Sequence, residues 1–423
     1  MKKKTVEVFD RIMGSGKTSA ICHWMRDNPD KNYIYISPVL TEVTDRIPQE
    51  CPELSFITPS TENHSSKKNH ILELLYAGDN ICTTHALYEI LDERHTDAVA
   101  MGDYTLVIDE EINFIQPYTR YNQSDIISLE EKDFVKINYD TDGSVDWLWD
   151  NIKQGTVYER LKRDCEMGML YFTKPSEKSD KEYSSMLVTH IPPKLVDVCD
   201  RVIILTYMFD GSVMERFFSL RGYETTPFTE VNTYRSQEDI INQIQSLVNF
   251  IETPSVKKLR NSQMGDGMSS SWYDRTSPKN REKVGKTISN AARSVKARSD
   301  SLVYTMPKRY AIQERPTKNQ SKKPVPIDIP RYSQEISFLY SSCRATNAYS
   351  DRDTAIHAYN RFPNIAVNKY LHDYGMAVDA DIFALSEMIQ WLWRTQIRES
   401  KPINVAILSR RMDRLFKEWL YNK

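Results

Sequence analysis

The run Met13, Gly14, Ser15, Gly16, Lys17, Thr18 and Ser19 combines the residue types that binding a phosphate chain requires. Glycines at 14 and 16 let backbone N–H groups close around phosphate oxygens, where a Cβ would obstruct. The run follows an extended stretch, TVEVF, and opens a helical one, SAICHWM, so the positive end of a helix dipole adds to the site. Lys17 is placed to reach the β- and γ-phosphates of a nucleotide, and Thr18 to hold Mg2+. The chain has only 13 glycines in 423 residues, so two beside a Lys-Thr pair are not background. The pattern G-x-x-x-x-G-K-[ST] asks for glycine at position 11, where this chain has Arg11. The bland alternative is a chance glycine-rich turn.

A second chemical signal is YTLVIDEE at 104–111, an apolar strand that ends in acids. In open α/β sheets ligands bind at the carboxyl ends of the strands. Asp109 there would hold Mg2+ through water, and Glu110 would orient and deprotonate an attacking water. Glu111 competes for the second role. An acid after a strand often only caps the next helix; a phosphate loop upstream favours the chemical reading. A third signal is SEMIQWLWRTQIR, where Gln390, Arg394 and Arg398 stand four apart and would share one helix face. Such a row suits an arginine aimed at developing phosphate charge, although an ordinary solvated face is the commoner origin of the pattern. Trp391 and Trp393 read as packing residues rather than base-stacking groups.

The elements that must position these groups alternate. NYIYIS, DNICTT, YTLVIDEE and RVIILTY read as strands, with helical patterns LTEVTDRI, HALYEIL and GSVMERFF between or after them. That rhythm means βαβ units and a parallel sheet. The stretch from about 115 to 185 is rich in Asp, Glu, Tyr and Trp and reads as an insertion. A polar junction, TPFTEVNTYRSQED, separates two halves, and the helix DIINQIQSLVNFI opens the second. Lys257 to Lys323 holds seventeen Lys or Arg against five acids, which reads as a basic insert at about 255–325: a solvated one, or a flank facing nucleic acid. Then EISFLYSS reads as a strand, NRFPNIAVNKYL and DIFALSEMIQWLWRTQIR as helices, INVAILS as a strand and RRMDRLFKEWLYN as a helix.

Composition sets the outer bounds. A hydrophobic fraction of 40% can build real cores, and a net charge of −2 neither requires nor excludes nucleic acid, which is bound by local patches. No run of eighteen apolar residues exists, so no membrane span is expected, and MKKKTVEVFD lacks the apolar core of a signal peptide. The six cysteines, scattered without a CxxC pair, read as reduced buried thiols in a cytoplasm; zinc is not expected.

In this order the motifs resemble those of superfamily 2 helicases, most closely the compact DEAD/DEAH-like helicases encoded by bacteriophages, over most of the chain. MGSGKT resembles helicase motif I, in which the first glycine is often absent. ISPVLTEVTDRI, with Pro38 and Thr41, resembles motif Ia, and ICTTHAL, with Thr84 and His85, motif Ib. IDEE resembles motif II. ILTYMFDGS, with Thr206, stands where motif III should be, although the family pattern is Ser/Thr-Ala-Thr. RATNAY, with Arg344, Thr346 and Asn347, resembles motif V. QWLWRTQIR resembles motif VI, commonly QxxGRxxR; here Trp393 replaces the glycine and Arg398 is one residue late. Each of the weaker motifs has a plain structural alternative: Pro38 as a strand terminator, Thr84 and His85 as helix caps, Thr346 and Asn347 as turn residues.

The resemblance implies an α/β protein of two RecA-like domains with parallel sheets, 1–228 and 229–423, and ATP with Mg2+ in the cleft between them. It implies that Pro38, Thr41, Thr84, His85, Arg344, Thr346 and Asn347 contact single-stranded or duplex nucleic acid, DNA rather than RNA. Thr206 would couple that contact to hydrolysis. The implied role is ATP-dependent translocation or unwinding in phage replication or recombination, in a host cytoplasm, by a monomer or weak oligomer that replication proteins could accompany. The rival readings are a small-molecule kinase and an ATP-gated nucleic-acid clamp that does not unwind.

Overall fold

The computed structural model describes residues 4–150, 152, 155–175, 185–312, 325–342 and 348–421. The chain divides into two compact units. One comprises Met1–Arg11, Lys17–Asn232 and Pro363–Asp379; the other comprises Ile12–Gly16, Thr233–Phe362 and Ala380–Lys423.

The first unit is built on six parallel strands. In chain order they are β1 (Thr5–Asp10), β2 (Asn32–Ser37), β3 (Ile81–Thr84) and β4 (Tyr104–Asp109), and later β10 (Arg201–Thr206) and β11 (Glu224–Pro227), laid side by side as β11-β1-β10-β4-β2-β3. The interior strands β1, β10, β4 and β2 are largely apolar on both faces, as a parallel sheet covered by helices requires, while the edge strand β11 is exposed. Val8, Ile34, Ile36, Leu106, Ile108 and Ile204 face one core. Their neighbours Phe9, Tyr33, Tyr35, Val107, Ile203 and Leu205 face the other, with Ile21, Trp24 and Met25 of the helix Lys17–Asp27. This is the period of two that pleated strands impose.

Between β4 and β10 the chain builds a small separate layer. β5 (Ile115–Pro117), β8 (Leu170–Phe172) and β9 (Leu187–His190) pair antiparallel, and β6 (Val135–Ile137) forms a two-stranded sheet with β7 (Val145–Trp147). This layer has a core of its own around Ile126, Leu161 and Phe172. The helix Ile365–Asp373, from far along the sequence, completes the unit. Asn364 caps it, accepting from the Ala366 N–H at 2.9 Å. Val367, Tyr370 and Leu371 enter the core; the Tyr370 hydroxyl donates to Asp142 O at 2.7 Å, and the Tyr374 hydroxyl to Phe172 O at 3.1 Å.

The second unit holds the parallel sheet β12-β15-β14-β13, of β12 (Val248–Phe250), β13 (Leu302–Thr305), β14 (Thr354–His357) and β15 (Ile403–Ile407). Three expectations from the sequence are corrected here. The described part of the stretch Lys257 to Lys323, Lys257 to Ile312, is not an insert, because it supplies the core. The helix Pro278–Ser294 buries Val284, Ile288, Ala291 and Ala292, and β13 is fully buried in the sheet. Its cations are partly consumed within the unit. Arg260 is buried and donates to Asp413 Oδ1 at 2.8 Å and to Glu252, while Lys286, Arg298 and Arg309 each have an acidic partner. EISFLYSS is not a strand: Gln334–Ser337 is a single helical turn, and only Phe338 bridges to Tyr304. The helix that opens this half stops at Leu247, and Val248–Phe250 becomes β12.

Two buried histidines give the stability a definite pH dependence. His190 stacks on Tyr171 with ring centroids 3.6 Å apart, and His357 packs edge-on against Trp391 at 5.4 Å; neither ring has a hydrogen-bond partner among the described residues. Burial, aided by Arg221, holds His190 well below the usual imidazole range, and burial, aided by Arg361, takes His357 down to about 3. Both are therefore neutral in the folded chain. Below the unfolded value of about 6.5 the unfolded chain binds protons that the folded one refuses, so stability falls as pH drops, by up to about 1.4 kcal/mol per pH unit for each histidine. The melting temperature should fall steadily from pH 6.5 to 5. His190→Phe keeps a ring in the cluster and should make that slope shallower; an unchanged slope would clear His190 of the effect.

Candidate functional site

β10 lies between β1 and β4, with Thr206 opposite Asp10 and Leu205 opposite Asp109. The carboxyl ends of three neighbouring strands thus bring together residues from three distant parts of the sequence. The Lys17 ammonium donates to the Thr206 carbonyl at 3.0 Å, and the Arg11 N–H reaches the same oxygen at 2.9 Å. The Thr206 hydroxyl donates to Glu111 Oε1 at 3.4 Å. Asp10 accepts the Met208 and Phe209 N–H groups, each at 2.9 Å, and so ties the turn after β10 to the end of β1.

Local sequence explains the loop. Gly14 and Gly16 have φ of +77° and +91°, the left-handed region that a residue with a Cβ resists. Between them Ser15 is buried, and its hydroxyl has no hydrogen-bond partner among the described residues. Trp393 and Tyr234 fill the space that a Cβ on Gly14 and on Gly16 would take, and the buried orphan hydroxyl of Ser15, followed by Lys17, is the part of the loop that fits a phosphate. Thr18 and Ser19 follow in the first turn of the helix Lys17–Asp27. Met13 is half-buried in the loop.

The electrostatics fit a magnesium-bound nucleotide. Lys17 is pushed down by burial, against the pull of Asp109, Glu110, Asp10 and Glu111. Asp109 is pushed up to about 7, first by burial and then by Glu42 and Glu110, with Lys17 and Tyr35 acting the other way. A buried carboxyl surrounded by like charge is one that a divalent cation would ionise. Thr18 and Asp109 are the residues that would hold it; Mg2+ keeps most of its shell as water and phosphate oxygens, so few protein ligands suffice. Glu110 adopts φ +61°, which costs a side-chain-bearing residue about 1–2 kcal/mol, and its N–H donates to Leu205 O at 2.9 Å. Such strain collects at functional positions.

Three contacts were not read from the sequence. The Tyr35 hydroxyl donates to Asp109 Oδ2 at 2.9 Å and fixes that carboxyl. His85 Nε2 lies 2.9 Å from the Asp109 backbone oxygen. The Ser37 hydroxyl donates to Glu42 Oε2 at 2.8 Å. One signal was available: a tyrosine inside a fully buried strand must find a partner for its hydroxyl. Thr84 stands opposite Ser37 at the ends of β3 and β2. Pro38 follows β2 directly and is half-buried, while Thr41 is exposed. Pro38, Thr41, Thr84 and His85 therefore lie at the ends of two adjacent strands.

In the second unit Gln390, Arg394 and Arg398 do not share one helix face, which corrects the sequence reading. The helix Ala380–Leu392 ends before Arg394, and Arg398 stands on a separate tight turn, Gln396–Glu399. Thr395 is the reason. It is buried and extended, and its hydroxyl donates to the Leu392 carbonyl at 2.6 Å, satisfying an oxygen that the next helical N–H would have taken. The N–H groups of Arg394 and Thr395 bond only three residues back, at 3.1 Å each. Gln390 donates to the Ser386 hydroxyl at 3.0 Å, and Trp391 is fully buried, donating to Leu339 O at 3.1 Å. Arg344, Thr346 and Asn347 lie outside the described residues.

The two sheets define an α/β protein, and the strand edge at Lys17 and Thr206 is its candidate phosphate-binding site. Comparison with known proteins narrows the class. Residues 242–420 match the family described as the YonV C-terminal Rossmann-like domain. The chain is 26% identical over 431 residues, 99% of each sequence, to the SPbeta prophage-derived uncharacterized protein YonV of Bacillus subtilis (strain 168). A solved structure named XPD_APO matches with a TM-score of 0.51 at 13% identity, covering 98% of this chain and 95% of that one. Another, named XPD_Helicase, matches with a TM-score of 0.49 at 12% identity, covering 99% and 94%. The first of these shows the fold: two α/β units with parallel sheets, folded like XPD_APO.

Proposed function

We propose that this chain is an ATP-driven nucleic-acid motor of the superfamily 2 type, a helicase or translocase. The observation that carries the reading is the strand edge where Lys17, Thr206, Asp109, Glu110 and Glu111 meet, because it joins a phosphate-binding lysine to acids suited to metal and water. Backbone N–H groups of Met13 to Ser19 would bind the phosphates, and Lys17 would leave Thr206 for the β- and γ-oxygens. Mg2+, held by Thr18 and through water by Asp109, would offset the charge on those oxygens. Glu110 would align and deprotonate the attacking water, and Thr206 would carry the change at the γ-phosphate into β10. From the second unit Arg394, assisted by Gln390, would neutralise charge on the transferred group; Arg398 is the second candidate.

Pro38, Thr41, Thr84 and His85, together with Arg344, Thr346 and Asn347, would track a nucleic-acid backbone. Binding of that kind goes mostly to phosphates and depends little on sequence. The contact of His85 with Asp109 supports a direct link from that track to the hydrolytic centre. The prophage origin of the YonV relative favours phage DNA replication or recombination in a bacterial cytoplasm. None of the described helices is long and apolar enough to cross a membrane.

The test is the ATPase rate against a panel of single- and double-stranded DNA and RNA. Stimulation by single strands is expected; a rate that responds only to a small phosphate acceptor would replace the motor with a kinase. Glu110→Gln should retain ATP and nucleic-acid binding while turnover falls by about 10²–10⁴-fold, the contribution of a general base. If that variant fails to bind ATP at all, Glu110 is a structural or metal-holding group and Glu111 inherits the base role.

A further inference from the structure

Beside the ends of β2 and β3 lies a cavity of about 260 Å3 whose walls include Leu40, Pro59, Leu87 and Ile90. It is smaller than the ~300–1,000 Å3 of pockets that take drug-sized ligands, so it suits one flat ring rather than a whole nucleotide. Leu40 and Ile90 are each more than half exposed, at 55% and 54%, although large apolar residues. Lys67, exposed at the start of the helix Lys67–Ala77, also lines the cavity.

Among the polar residues of the wall, one is buried without a partner among the described residues. Thr83, on β3, is 2% exposed, and its hydroxyl has no hydrogen-bond partner among the described residues. A buried hydroxyl left without a partner destabilises a fold, so its retention calls for an occupant that completes it. Its chain neighbour Thr84 lines the same cavity.

We infer that this cavity takes an unstacked base of a single-stranded nucleic acid. Leu87 and Ile90 would cover the faces of the ring, the Thr83 hydroxyl would bond a nitrogen or oxygen on its edge, and Lys67 would meet the adjoining phosphate. The inference rests on the nucleic-acid reading above and deepens it: that reading has the strand held mostly by its phosphates, whereas here one base in the register is held by its ring. A base pocket beside the backbone contacts would give the motor a grip on each nucleotide that depends on the ring being present and free of a partner strand.

The experiment compares a fluorescent twenty-nucleotide oligo(dT) with an abasic oligomer of equal length and charge, by anisotropy, on the full chain. The wild type should bind oligo(dT) at least tenfold more tightly. Ile90→Trp, at a solvent-facing lip where folding is little disturbed, should fill the mouth and remove most of that preference, while leaving abasic binding and its salt dependence unchanged. Thr83→Val should cut oligo(dT) affinity severalfold and leave the melting temperature level or raised, since an unmatched hydroxyl is lost. If Ile90→Trp keeps the full preference, the cavity belongs to something else, such as an apolar side chain of a partner protein, and the inference falls while the motor reading stands. If the wild type binds neither oligomer, the nucleic-acid reading itself falls. Repeating the series with oligo(U) distinguishes DNA from RNA as the source of the base.

Discussion

Lys17→Ala should leave no measurable ATP turnover. The Lys17 residue is half-buried at the strand edge, and its ammonium donates to the Thr206 carbonyl at 3.0 Å, where Asp109, Glu110, Asp10 and Glu111 all act on it. In the reading proposed above it would neutralise oxygens of the β- and γ-phosphates as the bond between them breaks, in a site where fixed charge acts at low dielectric. Its loss acts twice. The transferred phosphate loses a positive neighbour, and four carboxyl groups lose the cation that offsets them, so Asp109 moves further above its present value of about 7 and ionises less readily for Mg2+. Phosphate release by the variant should be at least a thousandfold below wild type, with an unchanged circular dichroism spectrum. Lys17→Arg retains charge but not the compact point donor, and should rescue poorly. Wild-type turnover in Lys17→Ala would remove the phosphate-loop assignment and everything built on it.

The second large effect is expected at Arg394, about 380 residues from the phosphate loop along the sequence. If it supplies positive charge to the transferred phosphate, Arg394→Ala should keep the fold and most of the ATP affinity while turnover falls by about 10³-fold or more, the scale of such arginines. Arg394→Lys should recover little, because a point charge cannot replace the planar fork. The end of the helix at Leu392 sharpens the comparison with Arg398, which stands on its own exposed turn. Arg398→Ala should therefore cost much less than Arg394→Ala. Measured with nucleic acid present, normal hydrolysis by Arg394→Ala would leave a phosphate-loop ATPase whose second unit serves some other purpose.

What the sequence made legible was local and contiguous. MGSGKTS and YTLVIDEE each hold the residue types of their proposed chemistry in consecutive positions, and buried parallel strands such as YTLVID announce themselves as apolar runs. The contacts that bind them into one site are long-range: Tyr35 to Asp109, and Lys17 to the Thr206 carbonyl. No spacing rule encodes those; the first follows from β2 lying beside β4, the second from β10 lying between β1 and β4. The break after Leu392 was hidden because SEMIQWLWRTQIR keeps good helix formers on both sides of Thr395, whose hydroxyl and extended backbone decide the matter. The basic stretch misled through its composition. Val284, Ile288, Ala291 and Ala292 recur at helical spacing inside it, so the buried face was present in the sequence and was outweighed by the lysines on the other side. EISFLYSS failed for another reason: a short apolar run carries too little periodicity to separate a strand from one helical turn.

The helix Ile365–Asp373 has a consequence for how the protein comes into being. The chain writes most of the first unit by Asn232, leaves it for Thr233–Phe362, and returns only with Pro363–Asp379. On the ribosome, at about 5–20 residues per second, roughly seven to thirty seconds separate the making of Asn232 from that of Asp379. During that interval the aromatic seat of Tyr171, His190 and Phe217 has not yet received Tyr370. The nascent first unit therefore waits, incomplete and with apolar surface showing, while a stretch that belongs to the second is synthesised. Cutting the gene at the junction would make that wait permanent: a fragment ending near residue 228 or 232 lacks part of its own interior, and the peptide 363–379 supplied separately is what could restore it.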